Sequence, residues 1–395
     1  MSQESNRGAR RARREKIAPR SLRALRSLVV PVVLLATVTL RADDPVSSSV
    51  RYTGEIVRIL DRKCAPCHGA DGLAMPLTTY REVREWGRAI REEIVEQRMP
   101  PWSAARGHAR LQNELALTAR ETATILSWLD GGMPRGDDRD LPRAPEAARD
   151  DPPDLHLPLP AQHVPALEEH VVRRVVVDTK LTGLRRVARI AVAPGNRRVL
   201  RGALVFIDGE GQDAQWIGAW VPWEPRLQPP ASHAFRLAQG ARLAVELHYR
   251  GGRDAVEDTP AVDLYFVKEE SARPTAGAAS VGELRVDASS PVRLAAATTV
   301  WAIVPSAAAA TSSLELAVRR PNGAVEVLLW MPDYRHDWPQ TLVLQDGVAL
   351  PAGTTVTLVA EPRTSAAAVR LSLLPAAGAA GATRSQTRMP APPRK

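Results

Sequence analysis

From about residue 169 to residue 376 the sequence is a succession of short runs in which apolar and polar residues alternate, among them HVVRRVVVD, RVLRGALVFIDG, ARLAVELHYR, AVEVLLWMPD and TTVTLVAEP. A period of two marks strands with one buried face, and a helix cannot satisfy it. Turn formers such as Pro194-Gly195-Asn196 and Pro321-Asn322-Gly323 separate the runs, which predicts tightly connected antiparallel strands. A break at KEESARPTAGAAS divides the stretch near residue 275. Two β-sandwich domains of ordinary size are therefore expected, 169–275 and 276–376.

The preceding region, 43–140, carries a different period. Thr78 to Arg98 (TTYREVREWGRAIREEIVEQR) sets Tyr80, Val83, Trp86, Ile90 and Ile94 at three- and four-residue steps, the apolar face of one helix with a charged back. Pro100 and Pro101 end it. LTARETATILSWLDGG predicts another helix, opened by a Thr118–Glu121 capping box and closed at Gly131. A small all-α domain over 43–140 follows, joined to the sheets by a Pro/Asp-rich linker at 141–168 and ending in a low-complexity, disordered tail at 377–395.

The net charge of +9 suggests an acidic partner until its location is read. Residues 1–42 hold ten basic residues against two acids, so nearly all the excess belongs to this leader and gives no case for nucleic-acid binding. The leader continues into the apolar run Leu28 to Leu40, shorter than the roughly 20 residues of a full span and flanked by arginine. It reads as a signal peptide or as an uncleaved membrane anchor, and both readings send the rest of the chain to the periplasmic side of the cytoplasmic membrane.

The chain owns two cysteines, and both lie in DRKCAPCHGADG. Cys64-Ala-Pro-Cys67-His68 reads as a covalent haem attachment site, with thioether links to Cys64 and Cys67 and an axial nitrogen from His68. Structural zinc needs about four ligands, which the cysteine count denies. A redox dithiol calls for a strand-to-helix junction, whereas GEIVRIL before the motif is helical in pattern. For a second axial ligand the region offers Met75, Met99 and Met133. Met99, 31 residues beyond His68 in a proline-stiffened loop, is favoured over Met75, which is close in the chain, and over Met133, which follows the helix-ending glycines.

CAPCHGADG, LTTYREVREWGRAI, RMPPW and LSWLDGGMPRGD together resemble the cytochrome c modules of exported bacterial proteins fused to a copper type II, ascorbate-dependent monooxygenase-like domain. The resemblance implies a small all-α cytochrome c domain followed by all-β, jelly-roll-like sandwiches. It implies that His68 and Met99 are the axial pair and that Arg98 and Trp102 flank the haem edge. The sheet half is similar to the monooxygenase-like partner, but Arg201-Gly202 stands where copper-binding relatives carry a His-His pair, and His248-Tyr249-Arg250 where they carry His-x-His. The remaining histidines show no paired spacing, and copper that meets dioxygen needs several imidazoles per ion. The expected function is an exported monohaem electron carrier with one covalent haem c, no copper, and a non-catalytic sheet half that docks to redox partner proteins or a membrane electron-transfer complex. A copper monooxygenase using the haem as its electron inlet is the alternative.

Overall fold

The computed structural model describes residues 48–143, 151–209, 214–224, 226–231, 233–268, 279–363 and 367–375. The leader 1–42, the tail 377–395 and the break near 275 lie outside the described residues.

Five helices make up the first piece. A wide turn, Tyr52–Ile56, leads into α1 (Val57–Lys63) and the single turn α2 (Ala65–His68), followed by α3 (Tyr80–Glu85), α4 (Gly87–Val95) and α5 (Ala119–Asp130). Their core is Ile56, Leu60, Val83, Ile94, Ile125 and Trp128 with a few neighbours. Fully burying a side chain of this size stabilises by about 1.5–3 kcal/mol. Trp128 is wholly enclosed and its indole N–H donates to the Pro134 carbonyl at 3.0 Å, so the polar end of the ring is satisfied. Both Thr79 and Thr118 head their helices with reciprocal capping boxes, to Glu82 and Glu121.

The sequence predicts one helix across 78–98, and the structure breaks it at Trp86, which is 43% exposed. The cause lies across the fold. Gly87 sits against the end of α5 so closely that a Cβ there would be 2.6 Å from Met133 Sδ. The chain therefore turns at Trp86 to bring a residue without a side chain to that contact.

Among the described residues the sheet half contains four main sheets, and each sandwich packs two of them face to face. In the first, Val171–Asp178, Arg242–Tyr249, Leu200–Ile207 and Gln215–Trp220 lie side by side, facing a sheet ordered Leu155–Pro158, Ala261–Phe266, Arg185–Ala193, His233–Leu237 and Ala279–Ser280. In the second, Gly282–Asp287, Ala368–Pro375, Thr298–Ser306 and Leu342–Leu350 face Val292–Arg293, Thr355–Glu361, Ser313–Arg319 and Val325–Met331. Ser313–Arg319 and Thr355–Glu361 alternate as their sequences do, whereas Leu200–Ile207 and Thr298–Ser306 are buried on both faces.

Two expected boundaries move. Strands Leu155–Pro158 and Gln162–Val164 fall inside the stretch expected to be a linker, and Leu157, Leu159 and Val164 are buried. The prolines are tolerated because Leu155–Pro158 is an edge strand, with Ala261–Phe266 on one side only. Ala279–Ser280 pairs in parallel with His233–Leu237, so residues expected to open the second sandwich complete a sheet of the first. The two sandwich cores are also continuous: Trp301 of the second lies with its ring 6.4 Å from Trp216 and 6.4 Å from Phe235 of the first.

The helical piece is built into the second sandwich as well. After α4 the chain runs along it: Ala105 N–H donates to the Trp330 carbonyl at 2.7 Å, Gln112 N–H to Val343 at 2.8 Å, and Leu111 forms an antiparallel bridge with Leu344. Asn113, buried, donates to the Thr341 carbonyl at 2.6 Å and accepts from Val343 N–H at 3.1 Å. Among the described residues no helix is long and apolar enough to cross a membrane.

Candidate functional site

The Cys-x-x-Cys-His run occupies the end of α1 and all of α2. Cys64 N–H closes the last turn of α1 on the Leu60 carbonyl at 2.8 Å, and Pro66 presets the first turn of α2. In the new turn Cys67 and His68 N–H donate to the Cys64 carbonyl at 3.0 and 2.9 Å. Three- and four-residue steps on a helical turn put Cys64, Cys67 and His68 on one face. Behind them the loop folds back so tightly that a Cβ at Gly72 would run into the Cys67 carbonyl.

His68 Nδ1 lies 2.9 Å from the Met75 carbonyl oxygen. A carbonyl only accepts, so Nδ1 carries the proton and Nε2 keeps its lone pair. Burial holds the His68 pKa below the usual imidazole value, which keeps the ring neutral and able to ligate. Burial pushes the Cys64 and Cys67 thiols up to about 12, with the neighbouring charge of Glu121 adding to the effect at Cys64. They are free, neutral thiols, unlike the low-pKa pair of a dithiol oxidoreductase.

These three residues open onto a cleft whose walls are mostly apolar, the character of small-molecule and cofactor sites. Leu77, Ile90, Ile94 and Leu117 line it from the helical piece, and Met75, Met99, Pro100 and Pro101 also border it. The other wall comes from the sheets: Arg201, Arg250 and Trp338.

The three candidate methionines sit in different surroundings. Met99 borders the cleft and is 38% exposed, and Met75 borders it while its backbone fixes His68. Met133 is committed elsewhere, packed against Gly87 with its carbonyl accepting from the Tyr80 hydroxyl at 2.9 Å. Arg98 and Trp102, expected at a haem edge, are not among the lining residues. Arg98 is exposed and pairs with Glu93 at 3.0 Å and Glu92 at 3.5 Å. Trp102 packs against the core of the second sandwich, because the chain has already turned onto those strands.

Deeper in the sheets lies a cluster that sequence spacing does not reveal. His170 Nε2 is 3.1 Å from His248 Nδ1, the His170 and His336 rings meet edge to face with centroids 5.0 Å apart, and His248 Nε2 is 3.0 Å from a Glu246 oxygen. A carboxylate accepts, so His248 donates to Glu246 through Nε2, and its Nδ1 accepts the hydrogen bond that His170 donates from Nε2. Burial, followed by the neighbouring His248 and His336, drives the His170 pKa down to about 4. Sheet register brings them together: Val172 pairs with His248, which places His170, two residues upstream, beside that strand.

Arg201 links cluster and cleft. It is 5% exposed, donates from a terminal guanidinium nitrogen to Asp337 at 2.6 Å, and lies over the Trp338 ring at 5.2 Å. Burial tends to raise the Asp337 carboxyl, but the hydrogen bond and charge of Arg335 together with the charge of Arg201 hold it below the usual range. Gly202 gives the loop carrying these residues its seat, since a Cβ there would be 2.5 Å from Pro339 Cγ. Among the described residues no group of three His, Cys, Asp or Glu side chains is spaced to hold a metal ion. No protein-family model matches the chain, and no curated protein matches it.

Proposed function

We propose that the chain is an exported monohaem c-type cytochrome that passes single electrons, with a sheet half that docks it to a redox partner or a membrane electron-transfer complex. The observation that carries the reading is the placement of Cys64, Cys67 and His68 on one face at an apolar cleft, with His68 Nδ1 tied to the Met75 carbonyl. The residues fit a covalent haem: two thiols for thioether links, one imidazole nitrogen free to ligate, a thioether at Met99, and apolar walls. Bound haem c supplies a one-electron iron couple. Leu77, Ile90 and Ile94 keep water from it, and the Met75 carbonyl orients the His68 ring. The resemblance of CAPCHGADG, RMPPW and LSWLDGGMPRGD to cytochrome modules fused to copper monooxygenase-like domains favours the same reading. In the sheet half, Arg201 and Gly202 serve packing and pairing instead of ligation, and the reading places no copper there.

The test is haem staining after denaturing electrophoresis of the full chain, expressed with a haem-attachment pathway, alongside iron and copper counts on the purified protein. The wild type should stain and carry one iron and no copper, and Cys64→Ala/Cys67→Ala should lose the stain. A stain that survives the double change would overturn the assignment.

A further inference from the structure

We propose that the sheet half is a working wall of the haem pocket, in which Arg250 and Arg201 receive the carboxylates of the haem and raise its reduction potential. The inference rests on the haem reading above and adds a role for residues outside the attachment motif.

Arg201 and Arg250 enter the cleft from neighbouring strands. Leu200 pairs with Tyr249 and Gly202 with His248, so Arg201 is the extra residue of a β-bulge. Bulges re-aim a side chain that regular pleating would send elsewhere. Arg250 follows directly on strand Arg242–Tyr249, anchored by its N–H to the Val199 carbonyl at 2.8 Å. The bulge thus delivers two guanidinium groups to one apolar space, where charge is costly to hold without a partner.

The acids present leave these guanidinium groups incompletely paired. Arg201 and Arg335 share one carboxylate, Asp337, at 2.6 and 3.1 Å. Arg250 has only a loose pair to Glu169 at 3.3 Å, between side chains 48% and 78% exposed. The other charged groups on the cleft are occupied: Lys63 donates to the Glu114 carbonyl at 2.8 Å, and Glu93 is held by Arg98. Arg201 and Arg250 face the cleft with one carboxylate shared with Arg335 and one loosely held, which leaves unspent N–H donors there, and the haem brings two carboxylates. Arginine suits them because its planar fork matches a carboxylate with two parallel bonds. Positive charge so placed stabilises the reduced iron centre, which carries one positive charge fewer than the oxidised one.

The experiment compares the midpoint potentials of wild type, Arg250→Gln and Arg250→Lys in the full haem-loaded chain, each first checked for haem stain and unchanged visible bands. Arg250→Gln should lower the ferrous-to-ferric ratio at a fixed poise about tenfold, a fall of about 59 mV for one electron. Arg250→Lys should recover most of it by keeping the charge. A stained Arg250→Gln protein with an unchanged potential, or equal losses in the Gln and Lys variants, overturns this inference and leaves the haem reading standing. A wild type that takes no haem overturns both.

Discussion

Acid should weaken this fold through His170. Its neighbours are His248, His336, Arg201 and Asp337, with Glu246 beyond His248, and the ring titrates at about 4 instead of the usual 6.5. Above pH 6.5 the ring is neutral in both folded and unfolded chains. Between pH 6.5 and about 4 the unfolded chain takes a proton that the folded one refuses, so stability is complete at the upper end of that window and is lost as the pH falls through it. For a fully enclosed ring, moving from pH 7.5 to 4.5 would cost about 2.5 kcal/mol at 1.36 kcal/mol per pKa unit. The ring is partly open to water, whose screening reduces this to about 1 kcal/mol. His170→Gln keeps an N–H donor for His248 but cannot titrate. Urea unfolding of wild type and variant at pH 7.5 and 4.5 isolates the contribution, because every other titrating group is common to both chains. Wild type should lose about 1 kcal/mol more than the variant between the two pH values. Equal losses would refute the assignment of a neutral, proton-refusing His170.

Met99→Ala should abolish the weak near-infrared band of ferric haem bound to sulfur and lower the midpoint potential, whereas Met75→Ala should preserve the band, since Met75 holds His68 through its backbone carbonyl; spectra of the two ferric variants decide between them. Trp128→Ala should destabilise the helical piece by about 3–5 kcal/mol, read as earlier loss of the visible haem bands in a urea titration while the far-ultraviolet signal of the sheets persists.

Where a pattern is local, the sequence declares it. The Thr118–Glu121 capping box and the period-two runs depend on residues a few positions apart and were legible. The break at Trp86 was not, because its cause is Met133, which approaches Gly87 from the end of another helix. Prolines concealed the strand Leu155–Pro158, although Leu155, Leu157 and Leu159 alternate as a strand requires. For the candidate site, the Cys64-x-x-Cys67-His68 run and Met99, which border one cleft, could be singled out directly, while the second wall could not. Arg201 reaches the cleft through a bulge, and His170 meets His248 through the register of two strands far apart in the chain. Neither event has a signature in spacing. Arg98 and Trp102 were expected at the haem edge through resemblance alone; the chain turns onto the second sandwich after α4, and Trp102 packs against its core.

The segment that runs from Ala105 to Asn113 along Val325–Met331 and Leu342–Leu350 sets an order of events during synthesis. A chain made from its amino terminus presents Cys64, Cys67 and His68 early, while the strands that receive this segment, and the loop carrying Trp338, emerge only near the end. Until then the pocket has one wall. On the haem reading proposed above, the two thiols would be met on an open face, and completion of the last strands would shut the cleft over a cofactor already in place.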